Sequence, residues 1–166
     1  MTLSKFSFEG KRVVVTGTGS GMGKAAAELL VEDGAEVHAL DITATDLGVA
    51  ASYEVDLRDS TAILDAVAAM PDSIDVLMNF AGLASLPDPV DIARVNYIGL
   101  RRLTESLVPR MPEGSAVGNI TSKSGGYWPR KLDEILPLLD IDDDEELAEW
   151  FAAQHGFSDV YGFTKA

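Results

Sequence analysis

The most restrictive stretch of the sequence is the glycine-rich turn "TGTGSGMG" at residues 16–23, which ends the short β-branched run "KRVVVTG" at residues 11–17. A short β-branched run predicts a buried strand, and the spacing of apolar residues after the turn predicts a helix that ends at Gly34. Glycines at 17, 21 and 23 allow a sharp turn and a close approach of the backbone to a ligand. A tight turn without a ligand also uses glycine. Four glycines in seven residues, between a strand and a helix, favour a dinucleotide-binding turn.

The same pattern of a strand followed by a helix recurs along the chain. Further strands are predicted at Glu36–Asp41, 53–57, 74–82 and 114–122, with helices at 59–70, capped by Asp59 or Ser60, and at about 91–110. Such alternation produces parallel strands with right-handed crossovers. The predicted fold class is therefore α/β, a Rossmann-type doubly wound parallel sheet, with ligands at the carboxyl ends of the strands.

Composition excludes several classes of partner. A chain of 166 residues fits a single domain, and 13 Lys plus Arg against 27 Asp plus Glu give a net charge of −14, which repels nucleic acid and anionic membranes. The chain lacks cysteine, a secretory signal pattern and an apolar run of the ~20 residues that cross a bilayer. His38 and His155 have no partner histidines at metal spacing, so no metal site is predicted. We expect a cytoplasmic protein with a small-molecule ligand.

An acidic residue ends the second predicted strand. A carboxylate at Asp41 accepts hydrogen bonds from the hydroxyls of an adenosine ribose and repels a 2′-phosphate. No basic residue occupies Thr18, Ser20 or Met22, and Ile42 is neutral. The pattern favours NAD over NADP as the cofactor, with an ordinary loop acid as the alternative interpretation.

Several motifs, taken in order, resemble those of the short-chain dehydrogenase/reductase family. The glycine-rich turn matches the family's T-G-x-x-x-G-x-G pattern, and "NFAG" at 79–82 matches N-N-A-G except at Phe80. "DL" at 56–57 matches the acid and apolar pair that contacts adenine in the family, and "VNYIG" places Asn96 at the family's helical asparagine. "NITS" ends at Ser122, the position of the catalytic serine; Ser124 is the alternative, but Ser122 directly follows the apolar strand.

Two tyrosine–lysine pairs have the spacing of four that the family uses, Tyr127 with Lys131 and Tyr161 with Lys165. Side chains four apart stack on one face of an α-helix. Pro129 disfavours such a helix around Tyr127, so the second pair is predicted to be catalytic. The long spacing from Ser122 resembles that of members with an insert, the coniferyl-alcohol dehydrogenases and bacterial 3α-hydroxysteroid dehydrogenases.

The resemblance implies an oxidoreductase that interconverts an alcohol and its aldehyde or ketone. Its implied catalytic residues are Asn96, Ser122, Tyr161 and Lys165. Tyr161 would exchange the proton, helped by the cation of Lys165 because a free phenol titrates near pH ~10. Ser122 would bind the substrate oxygen, and Asn96 would position a water. The implied cofactor-binding set is Thr16, Gly17, Gly21, Met22, Gly23, Asp41, Asp56, Leu57, Asn79, Ala81, Gly82, Tyr161 and Lys165.

Residues 123–160 are predicted to be an insert of one or two short helices near the substrate pocket. Its apolar residues either line a pocket for an aromatic or alicyclic substrate or bury the insert's own helices: Leu132, Ile135, Leu136, Leu138, Leu139, Trp150 and Phe151. "DIDDD" at 140–144 lacks the glycine of a calcium loop. It is predicted to be a solvated helix start, capped by Asp142 or Asp143.

The chain ends at Ala166, one residue after the predicted catalytic lysine. Members of the family continue well beyond this lysine, so the resemblance implies a single NAD-binding domain that is incomplete at its C-terminus. The longer protein is expected to be a homodimer or homotetramer. A non-catalytic NAD-binding module, or an inactive fragment, is the alternative interpretation.

Overall fold

The computed structural model describes residues 7–84, 88–153 and 157–165. Five parallel strands form one sheet in the order β3-β2-β1-β4-β5: β1 Arg12–Thr16, β2 Glu36–Asp41, β3 Ala51–Glu54, β4 Val76–Asn79 and β5 Ala116–Asn119. In the register of the sheet, Val14 is opposite His38 on one side and Leu77 on the other. The strand order reverses direction between β1 and β4, where the carboxyl ends of parallel strands open a crevice. The predicted fold class is confirmed.

The helices connect the strands and continue into the insert. They are α1 Gly21–Glu32, α2 Ser60–Ala68, α3 Pro89–Ala93, α4 Leu100–Leu107, α5 Leu132–Ile135, α6 Asp144–Ala152 and α7 Phe157–Thr164. A π-helical segment, Arg94–Gly99, joins α3 to α4, and 3₁₀ turns lie at Val108–Arg110, Lys123–Arg130 and Leu136–Asp140. Among the described residues, no helix is both long enough and apolar enough to cross a bilayer.

Side chains of β1 alternate between the two faces of the sheet, and each face has its own core. Val13 and Val15 pack with Ala27 and Leu30 of α1. On the opposite face, Val14 joins a cluster with residues of α2 and α4: Ile63, Ala66, Val67, Leu103 and Leu107. Burial on both faces explains why the strand is a continuous apolar run.

A third cluster, here called the insert core, attaches the insert to α3 and the π-helical segment. Its buried members are Ala93, Ile98, Leu138, Leu147, Ala148, Phe151 and Val160. Trp150 packs edge-on against Phe151, with ring centroids 5.1 Å apart, and against Phe163 at 5.2 Å. The insert therefore packs on the domain through its own apolar faces.

Several element boundaries differ from the prediction. The predicted strand 53–57 is Ala51–Glu54, because the chain turns after it, with the Asp59 amide bonded to the Asp56 carbonyl. The predicted strands 74–82 and 114–122 are limited to β4 and β5, since their ends leave the sheet to form loops. The long helix predicted over 91–110 is interrupted by the π-helical segment. Of the two residues proposed as the cap of each helix, Asp59 caps α2 and Asp143 caps α6.

The sequence predicted a solvated acidic start for α6, but in the structure its acids form ion pairs. Asp144 pairs with Arg102 at 2.7 Å and also accepts a hydrogen bond from Ser60. Glu145 binds both terminal nitrogens of Arg94, at 2.9 and 2.7 Å. The acids face arginines that only the tertiary fold brings to them, so they dock the insert on the α3–α4 region.

Candidate cofactor and active site

Each glycine of the β1–α1 turn is required for a different steric reason. Gly17 has a φ of 75°, and a Cβ there would lie 2.9 Å from the Cα of Ala81, so only glycine lets the turn touch the loop after β4. The hydroxyl of Thr16 accepts a hydrogen bond from the Ala81 amide at 2.9 Å. Gly21 has a φ of 55°, and a Cβ at Gly23 would collide with the Gly17 carbonyl. The turn and the loop after β4 form one surface.

A cleft of about 480 Å³ opens at this surface, at the carboxyl ends of β1, β2 and β4. The structure brings together most of the predicted cofactor-binding residues in its lining: Gly17, Gly21, Met22, Gly23, Asp41, Asp56, Leu57, Ala81 and Gly82. Helix α1 begins at this cleft, and its first turn carries no acidic side chain. Free amides at a helix N-terminus favour an anionic group such as a pyrophosphate.

Two residues of the predicted cofactor set are buried behind the lining. Thr16 supports Ala81, as described above. The side-chain amide of Asn79 donates to Asn119 at 2.8 Å and to Thr104 at 3.2 Å, so it connects β4 with β5 and α4. These two residues hold the strands that carry the site.

The sequence interpretation did not include some residues that line the cleft, among them Arg58, Phe80, Leu83 and Val95. Phe80 was visible as the departure from the N-N-A-G pattern. Arg58 directly follows the Asp56–Leu57 pair, which was the available signal. Leu83 and Val95 carry no motif of their own, and only the fold places them there.

Asp56 is held by an arginine in the same turn. Arg58 donates from Nε to both carboxylate oxygens at 3.0 Å and from Nη2 at 2.6 Å, and it also bonds to Asp91 at 3.0 Å. This hydrogen bonding to Arg58 lowers the pKa of Asp56, against the opposing effect of burial. The carboxylate at this end of the cleft is therefore ionised at neutral pH.

Asn96 is buried in the π-helical segment, and its side chain connects three parts of the fold. Its amide oxygen accepts from the Leu83 amide at 2.7 Å, and its amide nitrogen donates to the Leu83 carbonyl at 2.8 Å. The same nitrogen donates to the Thr164 hydroxyl of α7 at 3.3 Å. The hydrogen bonds of this side chain thus fix the loop after β4 against α7, and none of them goes to Lys165.

Lys165 lies next to this junction, at the end of α7. Its ammonium donates to the Ile120 carbonyl at 3.1 Å, and burial lowers the pKa of Lys165. A Cβ on Gly82 would lie 3.4 Å from the Lys165 nitrogen and 3.3 Å from the Asn96 amide oxygen. Gly82 lines the cleft and leaves room for both predicted catalytic side chains beside it, whereas Asn96, Ser122, Tyr161 and Lys165 are not among the residues that line the cleft.

Ser122 and Tyr161 come from segments that pack against each other. Ser122 begins the 3₁₀ turn after β5, and its hydroxyl accepts from the Ser124 amide at 3.2 Å. A Cβ on Gly162, next to Tyr161, would lie 3.4 Å from the Ser124 carbonyl. The half-buried Tyr161 therefore lies on a helix adjoining the serine segment, although 38 residues of insert separate them, 123 to 160.

The alternative pair, Tyr127 and Lys131, is not arranged as an acid–base pair. Tyr127 is 67% exposed and lies in a 3₁₀ turn, where about three residues per turn put positions four apart on different faces. Lys131 binds Glu134 at 2.7 Å and lies 5.6 Å from the centre of the Phe163 ring. The choice of Tyr161 and Lys165 stays a prediction, but it fits the geometry better.

The sheet order, the glycine turn and the cleft define a Rossmann-type dinucleotide-binding fold. The family model for short chain dehydrogenases matches residues 11–130. The chain belongs to the short-chain dehydrogenase/reductase family, as the sequence motifs indicated.

Individual relatives support this assignment. The chain is 38% identical over 122 residues to the coniferyl-alcohol dehydrogenase of Pseudomonas sp. (strain HR199 / DSM 7063), a match that covers 74% of this chain and 48% of that protein. The chain thus spans about half the length of this curated relative.

Solved structures show the same fold. The 3-alpha-hydroxysteroid dehydrogenase from Pseudomonas sp. B-0831 complexed with NADH is similar with a TM-score of 0.76, at 23% identity, over 93% of this chain and 61% of that chain. The 3-ketoacyl-(acyl-carrier-protein) reductase from Brucella melitensis complexed with NADH is similar with a TM-score of 0.64, at 28% identity, over 72% of this chain and 60% of that chain.

Proposed function

We propose that this chain is the cofactor-binding part of an NAD-dependent oxidoreductase that interconverts an alcohol and its aldehyde or ketone. The observation that carries the proposal is the cleft, which is lined by glycines at a helix N-terminus, by Asp41 and by Gly82. The side chains of Asn96 and Lys165 lie next to Gly82, behind the lining. The NADH of the Brucella melitensis reductase supports the choice of cofactor.

The residues present fit such a cofactor. Gly17, Gly21 and Gly23 would hold the pyrophosphate with backbone amides, and Asp41 would bind the adenosine ribose. Asp56 and Leu57 would contact the adenine. When bound, the nicotinamide supplies the hydride acceptor or donor.

The chain's own groups would handle the proton and the substrate. Tyr161 would take the proton from the alcohol during oxidation and return it to the carbonyl oxygen during reduction. Lys165 would place a positive charge near the phenol and bind the ribose hydroxyls, and Ser122 would donate a hydrogen bond to the substrate oxygen. Asn96 would hold the loop after β4 so that Lys165 and Gly82 keep their places.

We infer an apolar aromatic or alicyclic substrate. The insert after Ser122 exposes several apolar side chains: Tyr127, Trp128, Leu132, Leu136 and Leu139. Leu138 and Phe151, which were also candidates for a pocket wall, are buried in the insert core instead, so the alternative interpretation fits these two residues. The coniferyl-alcohol dehydrogenase named above acts on an aromatic alcohol by its name. In the complete protein we infer a cytoplasmic homodimer or homotetramer.

The test is NAD reduction at 340 nm with cinnamyl and alicyclic alcohols, comparing Tyr161→Phe with the parent chain. Loss of a general base should lower the rate about 10²–10⁴-fold, whereas NAD affinity should be unchanged within about twofold. The control is Tyr127→Phe, which removes the other candidate phenol but keeps its apolar ring, so turnover should be unchanged. NAD binding without turnover in the parent chain would favour a non-catalytic binding module, and equal rates in all three proteins would contradict the role of Tyr161.

A further inference from the structure

Asp41 is oriented by three hydrogen bonds from the chain itself. One carboxylate oxygen accepts from the Gly19 amide at 2.8 Å. The other accepts from the amide and the hydroxyl of Thr43, at 3.2 Å each. Because both oxygens are held, the carboxylate occupies one position at the edge of the cleft.

Gly19 is the residue that makes this position available. A Cβ at Gly19 would lie 2.7 Å from one Asp41 oxygen, 3.0 Å from its Cγ and 3.1 Å from the other oxygen. The backbone of Gly19 is outside the left-handed region, unlike that of Gly17 and Gly21. The backbone at position 19 could therefore accept an alanine, but its Cβ would clash with the Asp41 carboxylate, which would have to move.

The turn and the loop after β2 are also tied together beside this contact. The hydroxyls of Thr18 and Thr45 are 2.9 Å apart and share a hydrogen bond, and Thr18 is buried. Moving this loop away to make room for a side chain at position 19 would break that hydrogen bond. A change in the position of the Asp41 side chain breaks no contact between the turn and Thr45.

We propose that Gly19 is a specificity-determining residue, which acts by positioning Asp41 and thereby sets the preference for NAD over NADP. This inference rests on the proposed function of the cleft. A carboxylate held against the turn accepts hydrogen bonds from a ribose and repels a 2′-phosphate, and both effects depend on where its charge is placed. Gly19 belongs to the glycine-rich turn but acts on the ribose end of the site rather than on the pyrophosphate.

The test is calorimetric titration of the 166-residue chain with NAD and, separately, with NADP. In Gly19→Ala, NAD affinity should fall about tenfold, the effect of losing one charge-assisted hydrogen bond, while NADP affinity should stay level or rise. Gly126→Ala is the matched control, because a Cβ at Gly126 meets open space, and its ratio of affinities should equal that of the parent.

A double-mutant cycle separates positioning from simple blocking of the cleft. In the Asp41→Asn background, Gly19→Ala should change the ratio of NAD to NADP affinity by less than about twofold, because the group through which it acts is gone. An equal fall of both affinities in Gly19→Ala, or a full effect in the Asp41→Asn background, would overturn the proposal.

The outcomes also distinguish this inference from the proposed function. A parent chain that binds neither dinucleotide refutes the proposed function and the inference together. A parent that prefers NAD, with an unchanged preference in Gly19→Ala, refutes only the role of Gly19. If circular dichroism shows that Gly19→Ala does not fold, Thr43→Val, which removes one of the three donors, must lower the preference; an unchanged preference there overturns the proposal.

Discussion

Replacing Leu138 with alanine tests whether the insert is an integral part of the folded domain. Leu138 is 2% exposed and lies in the insert core, whereas the next residue, Leu139, is 57% exposed. Both leucines lie in the same 3₁₀ turn, Leu136–Asp140. The same substitution at the two positions therefore compares burial with exposure in one local backbone.

The expected cost follows from the burial of each side chain. Truncation of a buried leucine removes about three methylene equivalents, worth ~0.8 kcal/mol each, and leaves a cavity that adds to the loss. We expect Leu138→Ala to lower the free energy of unfolding by about 3 kcal/mol. Leu139→Ala should lower it by less than about 1 kcal/mol, since surface substitutions have small effects.

The assay is urea unfolding followed by far-UV circular dichroism and by tryptophan fluorescence in a Trp128→Phe background. Trp150 then reports on the insert, because it packs against Phe151 and Phe163. Equal losses for the two leucine variants would refute the packing of the insert core. A fluorescence transition that precedes the dichroism transition in the parent would show that the insert unfolds separately.

Two further predictions concern the docking of the insert and the packing of the π-helical segment at Gly99. Burial alone would raise the pKa of Asp144, but the hydrogen bonds from Arg102 and Ser60, together with the positive charges of Arg102 and Arg101, outweigh it, so the pKa is lowered. Because the folded pKa is below the unfolded value of ~4, the carboxylate stabilises the fold above that pH and loses its effect as the pH falls through the folded value. The urea midpoint of Asp144→Asn should be below the parent's at pH 7, and the gap should close in acid; a gap independent of pH contradicts this. A Cβ at Gly99 would collide with the Leu57 carbonyl, so Gly99→Ala should cost about 1–3 kcal/mol or more in thermal unfolding. Gly118→Ala, whose Cβ meets open space, should be neutral within about 0.5 kcal/mol, and an equally neutral Gly99→Ala would contradict the close contact.

Local patterns predicted the elements that are stabilised by local chemistry. The strand Glu36–Asp41 has the predicted bounds, and Asp59 caps α2 as one of two proposed residues. Strand ends at the carboxyl edge were less predictable, because apolar residues such as Val55 and Leu57 are buried without being in the sheet. Burial produces the same sequence pattern in a strand and in a packed loop.

The site shows the same division. Motif residues such as Gly17, Asp41 and Gly82 could be listed from the sequence, but their functional roles are still predictions. The contact between Gly19 and Asp41 could not be found in this way, because it joins residues from different loops. The pairing of Asp144 with Arg102 was likewise hidden, since a run of acids looks solvated unless its partners are known.

The sequence by itself determined the α/β class, the position of the glycine turn and the family, because these depend on periodicity and on short motifs. The tertiary structure decided which glycine faces which group, how Asn96 connects Leu83 with Thr164, and where the insert docks. These features depend on distances between segments far apart in the chain. Such distances are set by packing and by long-range hydrogen bonds, which no local stretch of sequence specifies.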